Sequence, residues 1–147
     1  VHAALSQNVD ESVDFDEVAR TIVRMAGAIA STDHAVEVIT TGTFGTISAD
    51  QAQALATVLN ELVANSVEHG LADRDGRIEV CAQRDNLSMK VTVADDGVGF
   101  VPGTPMSGLG TQIVHQMVRG ELRGSIEWAP REGGGTLVTL LINLDPA

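Results

Sequence analysis

Val93-Ala94-Asp95-Asp96-Gly97-Val98-Gly99-Phe100 is the stretch from which the fold can be read. Met89, Val91 and Val93 alternate with their neighbours as in a strand with one buried face. The strand runs into two carboxylates and then into two glycines one residue apart. An unpartnered buried carboxylate is costly, so paired acids at the end of a core strand need a reason. An acid followed by glycine-freed backbone suits a small polar ligand held against a sheet. Asp-Gly also marks ordinary turns, and Asp95 read alone is equally a turn-capping acid. Asp96 reads as a solvent-facing or helper residue, because successive strand side chains point to opposite faces.

Around this stretch lie 147 residues, enough for one domain with a real core. Hydrophobic residues make up 44% and charged residues 20%, which excludes disorder over most of the length. With three Phe, one Trp and no Tyr, the core must be built from Val, Leu, Ile and Ala. Twenty acids against nine bases leave a formal charge of −11. Such a surface repels nucleic acid and anionic membrane, and any phosphate-bearing ligand then needs a divalent cation, helix N-termini or a local base. The single cysteine, Cys81, excludes an internal disulfide and a Cys-based metal cage, and reads as a small buried apolar residue. No apolar run reaches membrane-spanning length and no signal opens the chain, so a cytoplasmic setting without membrane insertion is expected. Opening on Val1, in mid-pattern, the sequence reads as a piece of a longer protein.

Residues 1–30 read as helix with a break. Val1, Leu5 and Val9 share a face, Asp10 to Asp14 interrupt it, and Asp14 or Asp16 could cap a second helix. That helix is expected to carry Phe15, Val18, Ile22, Met25, Ala26 and Ile29 on one side. A short strand over Ala35–Ile39 and a turn-rich link with Phe44 follow. Ser48 with Gln51 then forms a capping-box pattern. It opens the strongest helix, Asp50 to His69, with a stripe of Leu55, Val58, Leu59, Leu62 and Val63 continued by Ser66 and Val67. Gly70 ends it as a C-terminal glycine. A hairpin of Arg77–Arg84 and Leu87–Asp95, a loop over Val101–Ser107, a helix from Leu109 to about Gly120, and strands Ser125–Trp128 and Thr136–Leu144 complete the pattern. The expected fold is an α/β (α+β) two-layer sandwich: a mixed, mainly antiparallel sheet with helices on one face.

Several residues could carry chemistry. Glu61 and Asn65 stand at i and i+4, one turn apart on a helical face. A carboxylate can orient or deprotonate a nucleophile and an amide oxygen can ligate Mg²⁺, although a plain solvated face has the same appearance. Asp95 could accept a hydrogen bond from an exocyclic amine such as adenine's, with Gly97 and Gly99 letting the backbone approach the ring. Gly108-Leu109-Gly110-Thr111 opens a helix and offers backbone N–H groups to an anion, or is an ordinary glycine-rich start. Gly133-Gly134-Gly135-Thr136 is a hairpin turn, or brings the Thr136 hydroxyl to the ligand of Asp95. The four histidines show no zinc spacing, and His69 either reaches a phosphate or sits as a dipole partner at a helix C-terminus.

Taken in order, Glu61-Leu62-Val63-Ala64-Asn65-Ser66-Val67-Glu68-His69-Gly70, Asp95-Asp96-Gly97-Val98-Gly99-Phe100, Gly108-Leu109-Gly110 and Gly134-Gly135-Thr136 resemble the N-box, the two glycine boxes and the closing Gly-Thr of the GHKL (Bergerat-fold) ATPase superfamily. The resemblance covers about residues 35–144. Within that superfamily the chain is similar to the catalytic domain of bacterial sensor histidine kinases of the cytosolic, actinobacterial HisKA_2 type. Phe44-Gly45, Leu59 to Leu62 and Gly120 to Trp128 carry that closer likeness.

The resemblance implies ATP and Mg²⁺ as cofactors, with ATP lying between helix and sheet. It implies Asn65 as the Mg²⁺ ligand, Glu61 as the residue polarising the attacking group, and Asp95 as the reader of the adenine amine. Gly97, Gly99 and Thr136 would surround the base, Phe100 would begin an ATP lid over Val101–Ser107, and Gly108, Leu109 and Gly110 would cradle phosphate, with His69 nearby. Residues 1–33 would be the end of a helical dimerisation region with its linker, and 34–147 the ATP-binding catalytic domain. The implied activity is transfer of the ATP γ-phosphate to a histidine in an upstream dimerisation domain, for relay to a response regulator, within a homodimeric kinase. Two departures stand out: Glu61 takes a position where many histidine kinases have Asn, and the lid is short. The phosphoacceptor histidine of this type lies further upstream, and His2 is not assigned that role. These residues alone are expected to bind and slowly hydrolyse ATP without autophosphorylating. An anti-sigma factor serine kinase of the partner-switching type shares the same boxes, but would lack the features of residues 1–33.

Overall fold

The computed structural model describes residues 11–30, 34–72, 74–99 and 109–146. The expected helix over 1–9, Phe100, the loop over 101–107 and Gly108 lie outside the described residues, as does the side chain of Leu109. In chain order the elements are β1 (Ser12–Asp14), α1 (Phe15–Ala30), β2 (Val36–Gly42), β3 (Thr46–Ser48), α2 (Ala49–Asn65), a π-helical turn (Ser66–Gly70), β4 (Gly76–Asp85), β5 (Ser88–Asp95), α3 (Leu109–Arg119), β6 (Ser125–Pro130) and β7 (Thr136–Asn143). The main sheet has the order β2-β4-β5-β7-β6, with β2 parallel to β4 and every other pair antiparallel. It is the mixed, mainly antiparallel α/β sandwich expected.

The period-2 patterns decide which sheet face is covered. Ile78, Val80 and Ala82, then Met89, Val91 and Val93, then Val138, Leu140 and Ile142 are all buried in one core. Each large member contributes about 1.5–3 kcal/mol by leaving water. Leu55, Val58, Leu59, Leu62 and Val63 supply the α2 side of that core, along the stripe read from sequence. Across the barrier of the sheet, Glu79, Lys90 and the half-exposed Leu141 face outward.

Local chemistry departs from expectation in several places. Residues 12–14 form a strand rather than a helix break, pairing with β3 through Val13 and Ile47. Asp14 caps α1, accepting the amide of Asp16, whereas Asp16 clamps the distant Phe44 and Gly45 amides at 2.6 and 3.2 Å. That clamp holds Phe44 edge-on to Phe15, with ring centroids 5.3 Å apart. The buried stripe of α1 is Phe15, Ala19, Val23, Ala26 and Gly27; Met25 and Ile29 are exposed at 54% and 74%. Small residues let α1 sit close against its neighbours, which rotates the larger apolar residues outward. Gln51 also departs from the capping box. Ser48 does accept the Gln51 amide at 3.3 Å, but the fully buried Gln51 side chain bonds Glu121 O, Asn143 O and the Asp145 amide instead of reaching back. Cys81 is only half-buried, because its register opposite Thr92 puts it on the uncovered sheet face.

Candidate functional site

At one end of the sheet, three segments converge on Asp95. It continues the inward phase of Val91 and Val93, so the strand that buries those valines carries its carboxylate into the interior, where it is 2% exposed. Oδ1 accepts from the Gly97 amide at 3.0 Å and from the Thr136 amide at 3.3 Å. Asp96 points the other way and is exposed; its Oδ1 accepts the Arg77 amide at 2.9 Å.

Burial pushes the Asp95 carboxyl above its usual range. The two backbone donors and the Arg131 charge pull against that push, and the neighbouring Asp96 adds to it. Arg131 was invisible as a site residue in the sequence. Its amide donates to Gly135 O at 2.9 Å and its guanidinium to Gly134 O at 3.0 Å, so the glycine turn holds it near Asp95.

The second segment is the end of α2. Asn65 is its last α-helical residue, and Glu61 lies one turn earlier; both are half-buried. Beyond Asn65 the helix widens into a π turn closed by Leu71 N to Ser66 O at 2.7 Å. This inserts a residue and brings Gly70 against Asp95. A Cβ on Gly70 would fall 2.7 Å from the Asp95 Cγ. The helical run ends at Gly70 as expected, but without a left-handed φ; the positive φ comes at Ala72, and Gly70 is small because the carboxylate packs on it. The Val98 amide bonds Gly70 O at 2.7 Å, and a Cβ on Gly97 would lie 2.8 Å from the Leu71 nitrogen. Gly97 therefore serves contact with the π turn, a reason the sequence did not show. His69, in the same turn, is exposed.

Gly135 and Thr136 form the third segment. Gly135 has φ +101°, and a Cβ there would lie 2.8 Å from the Asp95 carbonyl carbon. Thr136 is buried and meets Asp95 through its amide. Gly99 adopts φ +93°, and a Cβ there would meet only the Gly135 backbone at ordinary contact distance, 3.7 Å from its oxygen. Gly110, in the first turn of α3, faces Glu61 of α2. Glu61, Asn65, Asp95, Gly97, Thr136 and Gly110 are thus distributed over the helix end, the sheet end and the start of α3 that the topology gathers.

A cavity of about 130 Å³ is lined by Asp95 together with Arg77, Glu79, Ala94, Asp96 and Arg131. A larger groove of about 630 Å³ lies at the opposite end, by Lys90, Arg123 and Leu141, away from all of these residues. Among the described residues no three His, Cys, Asp or Glu side chains gather as a metal cage. The Asn65 amide oxygen is a hard donor of the kind that fits a cation keeping most of its waters. No helix among the described residues is long and apolar enough to cross a membrane.

Comparison with known proteins bears on the family and the fold. The family model described as "Histidine kinase-, DNA gyrase B-, and HSP90-like ATPase" matches residues 50–146. The chain is 37% identical to the sensor histidine kinase PdtaS of Mycobacterium tuberculosis (strain H37Rv), over 97% of its own length and 29% of the relative's. It is likewise 37% identical to PdtaS of Mycolicibacterium smegmatis, covering 30% of that protein. The chain therefore spans about three tenths of the length of these relatives. Its fold is similar to the histidine kinase domain of the Erythrobacter litoralis EL346 blue-light activated histidine kinase, with TM-score 0.78 and 23% identity over 90% of this chain and 62% of that one. The catalytic domain of histidine kinase ThkA superposes with TM-score 0.70 and 21% identity, over 92% of this chain and 97% of that domain. With its boxes in order and its sandwich in place, the chain belongs to the histidine kinase-, DNA gyrase B- and HSP90-like ATPase family.

Proposed function

We propose that this domain binds Mg²⁺-ATP and transfers its γ-phosphate to a histidine on an upstream dimerisation and phosphoacceptor domain, for relay to a response regulator. The observation that carries the proposal is the buried Asp95 carboxylate, whose Oδ1 is held by two backbone amides while Oδ2 turns to Gly70. A carboxylate so fixed offers an acceptor at one defined point, suited to an exocyclic base amine.

On this reading Gly97, Gly99 and Thr136 surround the base, and the amides from Gly108 through Leu109 and Gly110 meet phosphate at the start of α3. Asn65 holds Mg²⁺, which neutralises phosphate charge against a chain of formal charge −11. Glu61 polarises the attacking group, His69 lies within reach of phosphate, and Phe100 begins the lid over 101–107. Residues 1–33 are the end of the dimerisation region and linker, 34–147 the catalytic domain, and the whole kinase a homodimer. The domain alone hydrolyses ATP slowly and does not autophosphorylate.

Transfer of labelled phosphate from ATP to a separately expressed upstream helical region tests this directly. Label on a histidine there is expected. Label on a serine of a small antagonist protein would favour a partner-switching kinase instead.

A further inference from the structure

Gly110 lies in the first turn of α3, where α3 packs on α2. Its φ is not left-handed, so backbone freedom does not explain it. Among the described residues the neighbour that a side chain there would meet is Glu61: a Cβ built on Gly110 would stand 2.5 Å from Glu61 Oε2 and 3.4 Å from Glu61 Cδ. Among the described residues no hydrogen bond or ion pair engages that carboxylate. The bare Cα of Gly110 is therefore what leaves room for the Glu61 carboxylate where it sits.

We propose that Gly110 is a positioning residue for Glu61, its missing side chain admitting the carboxylate over the first turn of α3, where phosphoryl transfer would need it. The inference rests on the reading of Glu61 as the polarising group. The obstructed atom is the end of a flexible side chain, so in Gly110→Ala the carboxylate moves and the helix stays. The backbone N–H at position 110 also stays, so an anion contact made by that amide persists. A displacement of about 1 Å from productive geometry can cost on the order of 10²-fold in rate.

The test has two arms. In the chain with Mg²⁺ and ATP, G110A should lower turnover at least about tenfold. Shortening the acid withdraws it from the new methyl, so E61D/G110A should turn over ATP no more slowly than E61D alone. Unchanged turnover in G110A, or an equal loss in the wild-type and E61D backgrounds, overturns the proposal. In the second arm, nucleotide-free crystal structures of the unsubstituted and G110A proteins should show the Glu61 carboxylate displaced by about an ångström. An unmoved carboxylate overturns the inference whatever the nucleotide chemistry. Failure of the unsubstituted chain to bind ATP would instead overturn the proposed function, leaving the displacement to decide this one.

Discussion

Asp95→Asn separates ligand recognition from folding, because the two depend on different oxygens of one carboxylate. Oδ1 accepts from the Gly97 and Thr136 amides, and only an oxygen can do so. An asparagine must therefore keep its carbonyl at that position and place its NH₂ where Oδ2 lies, beside Gly70. The pocket then presents a donor in place of an acceptor, and a base amine meets another donor. A hydrogen bond to a charged group contributes about 1.5–3 kcal/mol. At about 1.4 kcal/mol per decade, ATP affinity should fall by roughly 10- to 100-fold, and further for the two donors left opposed. The fold should not suffer. Burial raises the Asp95 carboxyl above its usual value of 3.8, so the buried charge works against folding at neutral pH and a neutral amide removes that cost. Calorimetric titration with ATP and thermal melts of the nucleotide-free variant check both halves. Unchanged ATP affinity would refute the adenine assignment, and a melting temperature well below wild type would refute the view that the backbone donors alone position the group.

The same shift sets a pH dependence. With its folded-state value raised, Asp95 makes the native state bind the extra proton, so its contribution to stability is greatest below 3.8 and is lost as pH rises through the folded-state value. Melting temperatures across that window should show this slope in wild type and not in D95N; ATP affinity should fall on acidification as the acceptor is protonated. Asn65→Ala should weaken ATP binding much more with Mg²⁺ present than without it, and equal losses in calorimetry would count against metal ligation. Gly97→Ala places a Cβ against the backbone of Gly70 and Leu71, where nothing flexible can give, and should cost on the order of 2–3 kcal/mol by denaturant titration. Gln51→Ala strands three backbone partners at the far end of α2, each about 1–3 kcal/mol, and should lower stability while leaving ATP affinity intact.

Periodicity was readable wherever one face of an element meets the core. The α2 stripe and the alternating Met89, Val91 and Val93 of β5 stand where their spacing placed them, because burial of one face is a local property of the pattern. On α1 the same reasoning held for Phe15 and Ala26 but missed Ala19, Val23 and Gly27, because close packing selects small residues and turns Met25 and Ile29 outward. Strand β1 was missed because a three-residue strand is defined by its partner, Thr46–Ser48, and carries too few residues for a pattern of its own.

Sequence by itself determined the class of this protein, through an ordered set of boxes and an alternation that must bury one face of a sheet. It also distinguished Asp95 from Asp96, since strand geometry sends consecutive side chains to opposite sides. Only the tertiary structure decided why particular glycines are glycine. Gly70 accommodates the Asp95 carboxylate, Gly97 the backbone of the π turn, and Gly110 the carboxylate of Glu61. Each requirement arises between segments at least 25 positions apart, such as Gly70 and Asp95, and a close approach across that separation leaves no trace in local spacing.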